Sequence, residues 1–555
     1  MKRTLLPALG IVVLALACSA PSSQPSPSGA GDGPAQPKVN RVVLAVPAPV
    51  EAESNQPRNI GQTSMWQIAP MYEYLIAMDN QTGKYVPGLA TEWKVEENGS
   101  ALRFKLRQGV QFHSSTGSGN SWGEFTAKDM EHSWKDMIRE DSIAGYQVVL
   151  ARRVIDRIEA PNDYEVVMRL KAKDSDTLNT ISQAQGGFEM MSKANFDKTG
   201  DPSLTQPPIA GTGPYQFKSR SQGANVIFER VPYKHWRMMP DFPEFEFRFI
   251  KEASTRQAAL MTHEIQLTSL PNDLMAGAER AGLKVAKGRV PALRSFLSIW
   301  CCYLDKSGKE MFPDSPLKDV RVRKALNKAI NRDELNKAFF AGKGELIFGF
   351  NHVPANHPAY NPDWQKRFQS EYGYDPNAAK DLLSQAGYGP GKPFKTVMFV
   401  HEVPAFAAAP DTVEAIASFW RQAGVDVTLS TMEGEQMRTL SRGCKLDNHF
   451  DIIGTSGAPI VAYGYYNSSF IGNCGGYQHP DTDALFDKIR QELDIEKHDA
   501  LWRQIGDKSF DLHTNVPLFW LPAEAMYDPN VVSDYVWPGS ISGTWTHVEQ
   551  IKAAR

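Results

Sequence analysis

Apolar positions along the chain recur with two periods. Val42 to Val46 is an unbroken apolar run, the pattern of a strand buried on both faces. Ala101 to Arg107 and Val425 to Leu429 alternate apolar with polar residues, as half-exposed strands do. Helical spacing takes over elsewhere. Thr126-Ala127-Lys128-Asp129 has capping-box spacing and leads into Met130, Trp134 and Met137. Asp375-Pro376 supplies an N-cap and a first-turn proline, Leu382, Leu383 and Ala386 share a face, and Gly387 is the stop. Asp411 to Glu414 opens another helix, with Ile416, Ala417 and Trp420 inward and Gly424 at its end. From Val320 to Ile330 the residues Val322, Ala325, Leu326, Ala329 and Ile330 keep helical spacing. That places Arg321, Arg323, Lys324 and Lys328 on an expected solvated face, and Asn331 to Glu334 restarts a helix with its own cap. Trp134 and Trp420 fall on apolar helix faces and are assigned to core. Strands interleaved with capped helices, without a repeat of about 20 to 50 residues, predict a mixed α/β chain.

With 555 residues, 42% hydrophobic and 22% charged, the chain can build more than one core, which excludes a polytopic membrane protein, a coiled coil, a collagen and a wholly disordered chain. Sixty Lys and Arg against 63 Asp and Glu give a net charge of -3, so no basic excess is available for phosphates and nucleic acid is not an expected partner.

The chain begins Met1-Lys2-Arg3, followed by an apolar run from Leu5 to Ala17 and then Cys18. The run is shorter than the roughly 20 residues that span a bilayer. A basic start, a short apolar stretch and a small residue before a cleavage point make residues 1–17 an expected signal peptide. The segment resembles a bacterial lipoprotein signal, which implies that Cys18 becomes the lipidated first residue; ordinary secretion is the other reading, and both export the protein. In Ser19 to Lys38, Ser, Pro and Gly fill 13 of 20 places, a composition unable to bury enough surface to offset its ordering entropy. Residues 18–38 are therefore expected to tether a body that starts near Val39.

Four cysteines lie in that body. Their even number in an exported chain favours a disulfide. Cys444 and Cys474 are the preferred pair because both stand in glycine-bearing loops that can meet the bond's geometry. For the adjacent Cys301 and Cys302 the expectation is one residue facing a core and the other a pocket or solvent. The cysteines and histidines show no zinc-like spacing, and no metal or other cofactor is expected.

Several motifs appear in order: Pro87-Gly88-Leu89-Ala90-Thr91-Glu92-Trp93, Leu102 to Arg107 with Gly109-Val110-Gln111-Phe112-His113, Phe125 to Asp129, and Gly211-Thr212-Gly213-Pro214-Tyr215. Pro316 to Leu326, Tyr374-Asp375-Pro376, Ala386-Gly387-Tyr388 and Val516-Pro517-Leu518-Phe519 follow. In order and spacing the chain resembles the family 5 solute-binding proteins of ABC transporters, the dipeptide- and oligopeptide-binding type. The resemblance implies a two-lobed α/β periplasmic-binding-protein fold of type II, the large peptide-binding class with an extra subdomain. It further implies that residues 39–295 plus 510–555 form lobe I, with a subdomain inserted at about 70–200, and that 296–509 form lobe II. The implied activity is solute capture without chemistry by a monomer that delivers its cargo to membrane permease subunits.

Peptide-binding members usually hold the ligand's ammonium with an aspartate in the loop after the strand that here includes Phe450 to Ile453. Ile452 through Pro480 contains no Asp or Glu. Tyr463, Tyr465 and Tyr466 stand there instead, in a neutral segment suited to stacking and hydroxyl hydrogen bonds. Two solute classes stay open: a peptide anchored by a carboxylate from elsewhere or by carbonyls, or a neutral or differently charged solute such as an oligosaccharide. The candidate pocket residues are Trp66, Tyr72, Trp300, Tyr463, Tyr465, Tyr466 and Trp520, each of which could equally be core.

A secreted serine hydrolase is the competing class. Gly119-Asn120-Ser121-Trp122-Gly123 matches G-x-S-x-G, but the His113 to Gly119 loop separates it from the preceding strand, whereas a nucleophile elbow turns directly from strand to helix. His263-Glu264 and His401-Glu402 have Leu267 and Ala405 where H-E-x-x-H needs its second histidine, and no Walker A sequence occurs. His352 and His357 lie in a proline-rich polar loop and are expected to be solvated, although nickel binding is known in the family. No catalytic residue is assigned.

Overall fold

In the computed structural model, residues 37–555 form one compact unit. They are described except for 48, 50–51, 61, 114–121, 145, 185, 187, 202–208, 290–292, 306, 356, 402, 404–405, 407, 432–435, 437–438, 442–443, 456–461, 469–473, 475, 523 and 538–544. The expected signal, Cys18 and most of the tether lie outside the described residues, as does Ser121.

Two large sheets organise the body. The first orders Lys284–Lys287, Glu524–Tyr527, Leu267–Thr268, Arg41–Val46, Glu244–Phe249, Asn225–Arg230 and Tyr215–Ser221. Arg41–Val46 is central, parallel to Glu244–Phe249 and to Leu267–Thr268, and its side chains are almost wholly buried, as its unbroken apolar run predicts. The second sheet orders Glu345–Leu346, Asn515–Leu521, Leu293–Trp300, His449–Thr455, Lys395–Val400 and Asp426–Thr431. A separate four-stranded sheet of Ala90–Glu96, Ala101–Leu106, Glu165–Leu170 and Ile155–Asn162 sits within the first half of the chain.

The chain passes from the first sheet to the second between Lys284–Lys287 and Leu293–Trp300, and returns between Asn515–Leu521 and Glu524–Tyr527. The stretch expected to rejoin the first lobe from about 510 thus stays with the second sheet through Leu521. The reason is pairing: Asn515–Leu521 lies antiparallel beside Leu293–Trp300, and both strands are buried along their whole length.

Local signals translate directly. The Asp129 carboxylate accepts from the Thr126 N–H at 2.8 Å at the start of Ala127–Met137, and Asp375 caps Pro376–Gln385 through the Ala378 N–H. The helix expected to open at Asp411 starts at Ala409, with Pro410 in its first turn. Trp420 is fully buried and donates to the Leu326 carbonyl at 3.0 Å.

The Gly211-Thr-Gly-Pro-Tyr turn has a steric cause. A Cβ on Gly211 would stand 1.8 Å from the Met71 carbonyl oxygen, and one on Gly213 would stand 2.4 Å from that of Pro70. Two backbones meet where only glycine fits.

Three expectations are corrected. Arg323 and Lys328 do not face water: they are 1% and 8% exposed, and Arg323 donates to the Leu512 carbonyl at 2.8 Å and packs on Tyr477. Those partners come from distant parts of the chain, so helical spacing alone cannot reveal them. Cys301 and Cys302 do not split between core and solvent: both are buried and joined to each other as a vicinal disulfide. His352 is fully buried against Phe350 and Tyr466, while His357 is half-buried and accepts from the Ala359 N–H. Cys444 and Cys474 are joined in the structure.

Candidate functional site

The two crossings bring together the N-terminal end of Leu293–Trp300 and the C-terminal end of Asn515–Leu521. Arg294 pairs with Trp520 across these strands, which puts both side chains on one face. Arg294 donates to the Asn351 carbonyl at 3.1 Å, and its guanidinium lies 4.6 Å from the Phe296 ring centre.

Aromatic rings collect beside them. Tyr465 lies 5.9 Å from Phe296 and 6.1 Å from His352, and Tyr466 lies 5.7 Å from Phe350 and 5.8 Å from His352, all between ring centres. The Tyr466 hydroxyl donates to Asn351 Oδ1 at 3.4 Å, and burial pushes its pKa well above that of a free phenol. Asn351 is fully buried, and its Nδ2 has no hydrogen-bond partner among the described residues. This constellation supplies donors, a cation and ring faces.

Two carboxylates of the second lobe serve the protein itself. Asp451 is buried and bonded to His401 Nε2 at 2.7 Å. Asp483, on the helix Pro480–Gln491, accepts from the Ser468 N–H at 2.9 Å and from its hydroxyl, while burial raises its pKa.

Of the residues singled out by sequence, Tyr465, Tyr466 and Trp520 come to this region. Tyr463 begins the short helix Tyr463–Tyr466, and its side chain lies outside the described residues. Trp300 sits at the other end of its strand, roughly 20 Å along at about 3.3 Å per residue. There it packs with Tyr303, Phe399 and Cys474. Trp66 is first-lobe core against Phe247 and Phe249, and Tyr72 is buried with its hydroxyl donating to the Asn55 carbonyl at 3.1 Å. Sequence reasoning missed Arg294, Phe296, Asn351 and His352. The one available signal was an arginine inside the otherwise apolar and hydroxyl run Leu-Arg-Ser-Phe-Leu-Ser-Ile-Trp.

Two α/β bodies joined by a double crossing, with polar and aromatic residues gathered beside it, define a two-lobed periplasmic-binding-protein fold of type II. The chain belongs to the bacterial extracellular solute-binding proteins, family 5, whose middle-region model matches residues 84–479. Members of the family are solute-binding components of ABC importers and work outside the cytoplasm; they bind and do not transform. The chain is 26% identical over 388 residues to the dipeptide-binding protein of Escherichia coli K12, covering 67% of this chain and 68% of that one. It shares its fold with the dipeptide-binding protein of Pseudoalteromonas sp. SM9913 in complex with Met-Leu, at a TM-score of 0.75 and 19% identity, covering 93% of this chain and all of the other. It is also similar to NikZ of Campylobacter jejuni in complex with Ni(L-His), at a TM-score of 0.73 and 19% identity over 92% and 99% of the chains. Among the described residues no helix is long and apolar enough to cross a membrane.

Proposed function

We propose that this chain captures a peptide-like solute between its lobes and passes it to an ABC permease, acting as an exported monomer held to the membrane through Cys18 and the 18–38 tether. The solute would lie beside the crossings, against Arg294, Phe296, Asn351, Tyr465, Tyr466 and Trp520. The carrying observation is the buried Asn351 Nδ2, without a hydrogen-bond partner among the described residues, on the residue whose carbonyl the Arg294 guanidinium holds; together they are donors suited to carbonyl and carboxylate oxygens of a peptide. The peptide-binding names of the relatives support the same reading. In this proposal the lobes divide as expected from sequence, except that the second crossing falls after Leu521.

A second reading is a non-peptide solute, an oligosaccharide or a nickel chelate. It is favoured by the absence of any acid between Ile452 and Pro480, since a peptide's buried ammonium needs a counter-charge. Isothermal titration with Met-Leu, a tripeptide mixture, cello-oligosaccharides and nickel–histidine tests both. Heat with peptides is the expected result, and heat only with the sugars or the chelate removes the peptide reading.

A further inference from the structure

Away from both crossings, the two lobes touch through a small set of oriented contacts. Asp174 and Ser175 follow the strand Glu165–Leu170 of the four-stranded sheet, and Ile489 and Arg490 end the helix Pro480–Gln491 of the second lobe. The Ser175 N–H donates to the Arg490 carbonyl at 3.0 Å, and the Ser175 hydroxyl donates to the Ile489 carbonyl at 3.1 Å. The last carbonyls of a helix lack a partner four residues on; that of Ile489 also accepts from the Glu492 N–H at 3.1 Å, and Ser175 of the other lobe completes the cap. Arg490 in turn forks onto Asp174 Oδ2 through Nε at 3.0 Å and Nη2 at 2.9 Å, with both side chains largely buried.

The receiving turn is held by its own lobe. The other oxygen of Asp174 accepts from the Asp176 N–H and the Thr177 hydroxyl, each at 3.1 Å, which leaves Oδ2 aimed at Arg490. The contact continues beside it. The Leu493 side chain comes within 2.6 Å of where a Cβ on Gly99 would stand, so glycine makes room for it.

We propose that Asp174, Ser175 and the end of the Pro480–Gln491 helix form a clasp that holds the lobes together in solution before any solute arrives. The clasp rests on the hinged, two-lobed reading above but not on the identity of the solute. It involves none of the residues placed beside the crossings. Because it exists only when the lobes meet, it raises the population of the binding-competent form, and apparent affinity for every solute rises by the same factor without altering selectivity.

Small-angle X-ray scattering and stopped-flow release of Met-Leu, on the whole protein as wild type, Arg490→Ala and Arg490→Lys, test this. Without added solute, Arg490→Ala is expected to show a larger radius of gyration than wild type while keeping a folded circular-dichroism spectrum, and Arg490→Lys an intermediate one. Met-Leu is expected to leave Arg490→Ala roughly threefold to tenfold faster. Superimposable scattering of wild type and Arg490→Ala overturns the clasp. If Met-Leu binds neither protein, the scattering comparison alone decides the clasp, and the peptide reading is decided by the titration series above.

Discussion

Arg237 in the first lobe and Arg332 in the second both hold a cation against the protein interior, and they are satisfied in opposite ways. Arg237 Nε donates to Glu73 at 3.1 Å while another arm pairs with Glu549, and both carboxylates are buried. Arg237 is itself partly exposed; packing against the protein opposes its charge, yet Glu549 and Glu73 together hold its pKa above the usual value. Arg332 is given carbonyls. It donates to those of Pro517 at 2.8 Å and of Asn327 and Tyr372 at 3.0 Å each, and burial pulls its pKa down to about 10. Tyr372 ends the helix Pro362–Tyr372, and Leu512, the partner of Arg323, ends Ile495–Leu512. Arg332 and Arg323 thus lean on helix C-termini, with their partial negative charge, where Arg237 leans on carboxylates. An ion pair fixes one strand of chain to another. A guanidinium shared among helix ends fixes the relative positions of whole helices.

Removing each cation separates the two designs. Arg237→Ala leaves Glu549 without its cation and Glu73 with the Trp236 Nε1 donor, and because Arg237 is partly exposed a loss of about 3 kcal/mol in urea unfolding is expected, with Arg237→Lys recovering part of it because the charge returns. Arg332→Ala leaves carbonyls rather than anions, and a loss of about 2–3 kcal/mol is expected. There Arg332→Lys should recover little, since one ammonium cannot span acceptors that a planar fork reaches together. Equal rescue by lysine at both positions would erase the distinction.

The same contrast explains what was legible in the sequence. The Val42–Val46 strand and the capped helices at Thr126 and Asp375 are written within a few neighbouring residues, and they appear where expected. Arg323 and His352 read as solvated because their partners, among them Leu512, Tyr477 and Tyr466, arrive from far along the chain. The site was half legible for a related reason. Tyr465 and Tyr466 meet Phe296 and His352, but Leu293–Trp300 is buried along its full length, so no alternation distinguishes its Arg294 end from its Trp300 end.

The smallest expected effect tests whether the cations of the second lobe act beyond their own hydrogen bonds. His513, almost fully buried and packed 4.3 Å from Tyr372 with the rings tilted, is pushed well below the usual histidine range by burial first and then by Lys324, Arg323, Arg332 and Lys328. In the first lobe His113 is lowered to about 4 chiefly by burial, against the pull of the Gly213 carbonyl. A histidine kept neutral in the fold takes up its proton more readily when unfolded. Its contribution is therefore fully present above about pH 6.5 and is lost as pH falls below that value toward the folded pKa, at about 1.4 kcal/mol per pH unit. His513 also takes a left-handed backbone, φ 49°, that asparagine tolerates. His513→Asn should accordingly keep the helix end and flatten the acid limb, shrinking the stability difference between pH 7 and pH 5. Unfolding curves of wild type, His513→Asn and Arg332→Met at both pH values decide the point. If the cations depress His513, Arg332→Met, which removes one of them, weakens the acid sensitivity that remains with histidine in place. An acid limb unchanged in Arg332→Met would reduce His513 to a second case of burial alone, like His113.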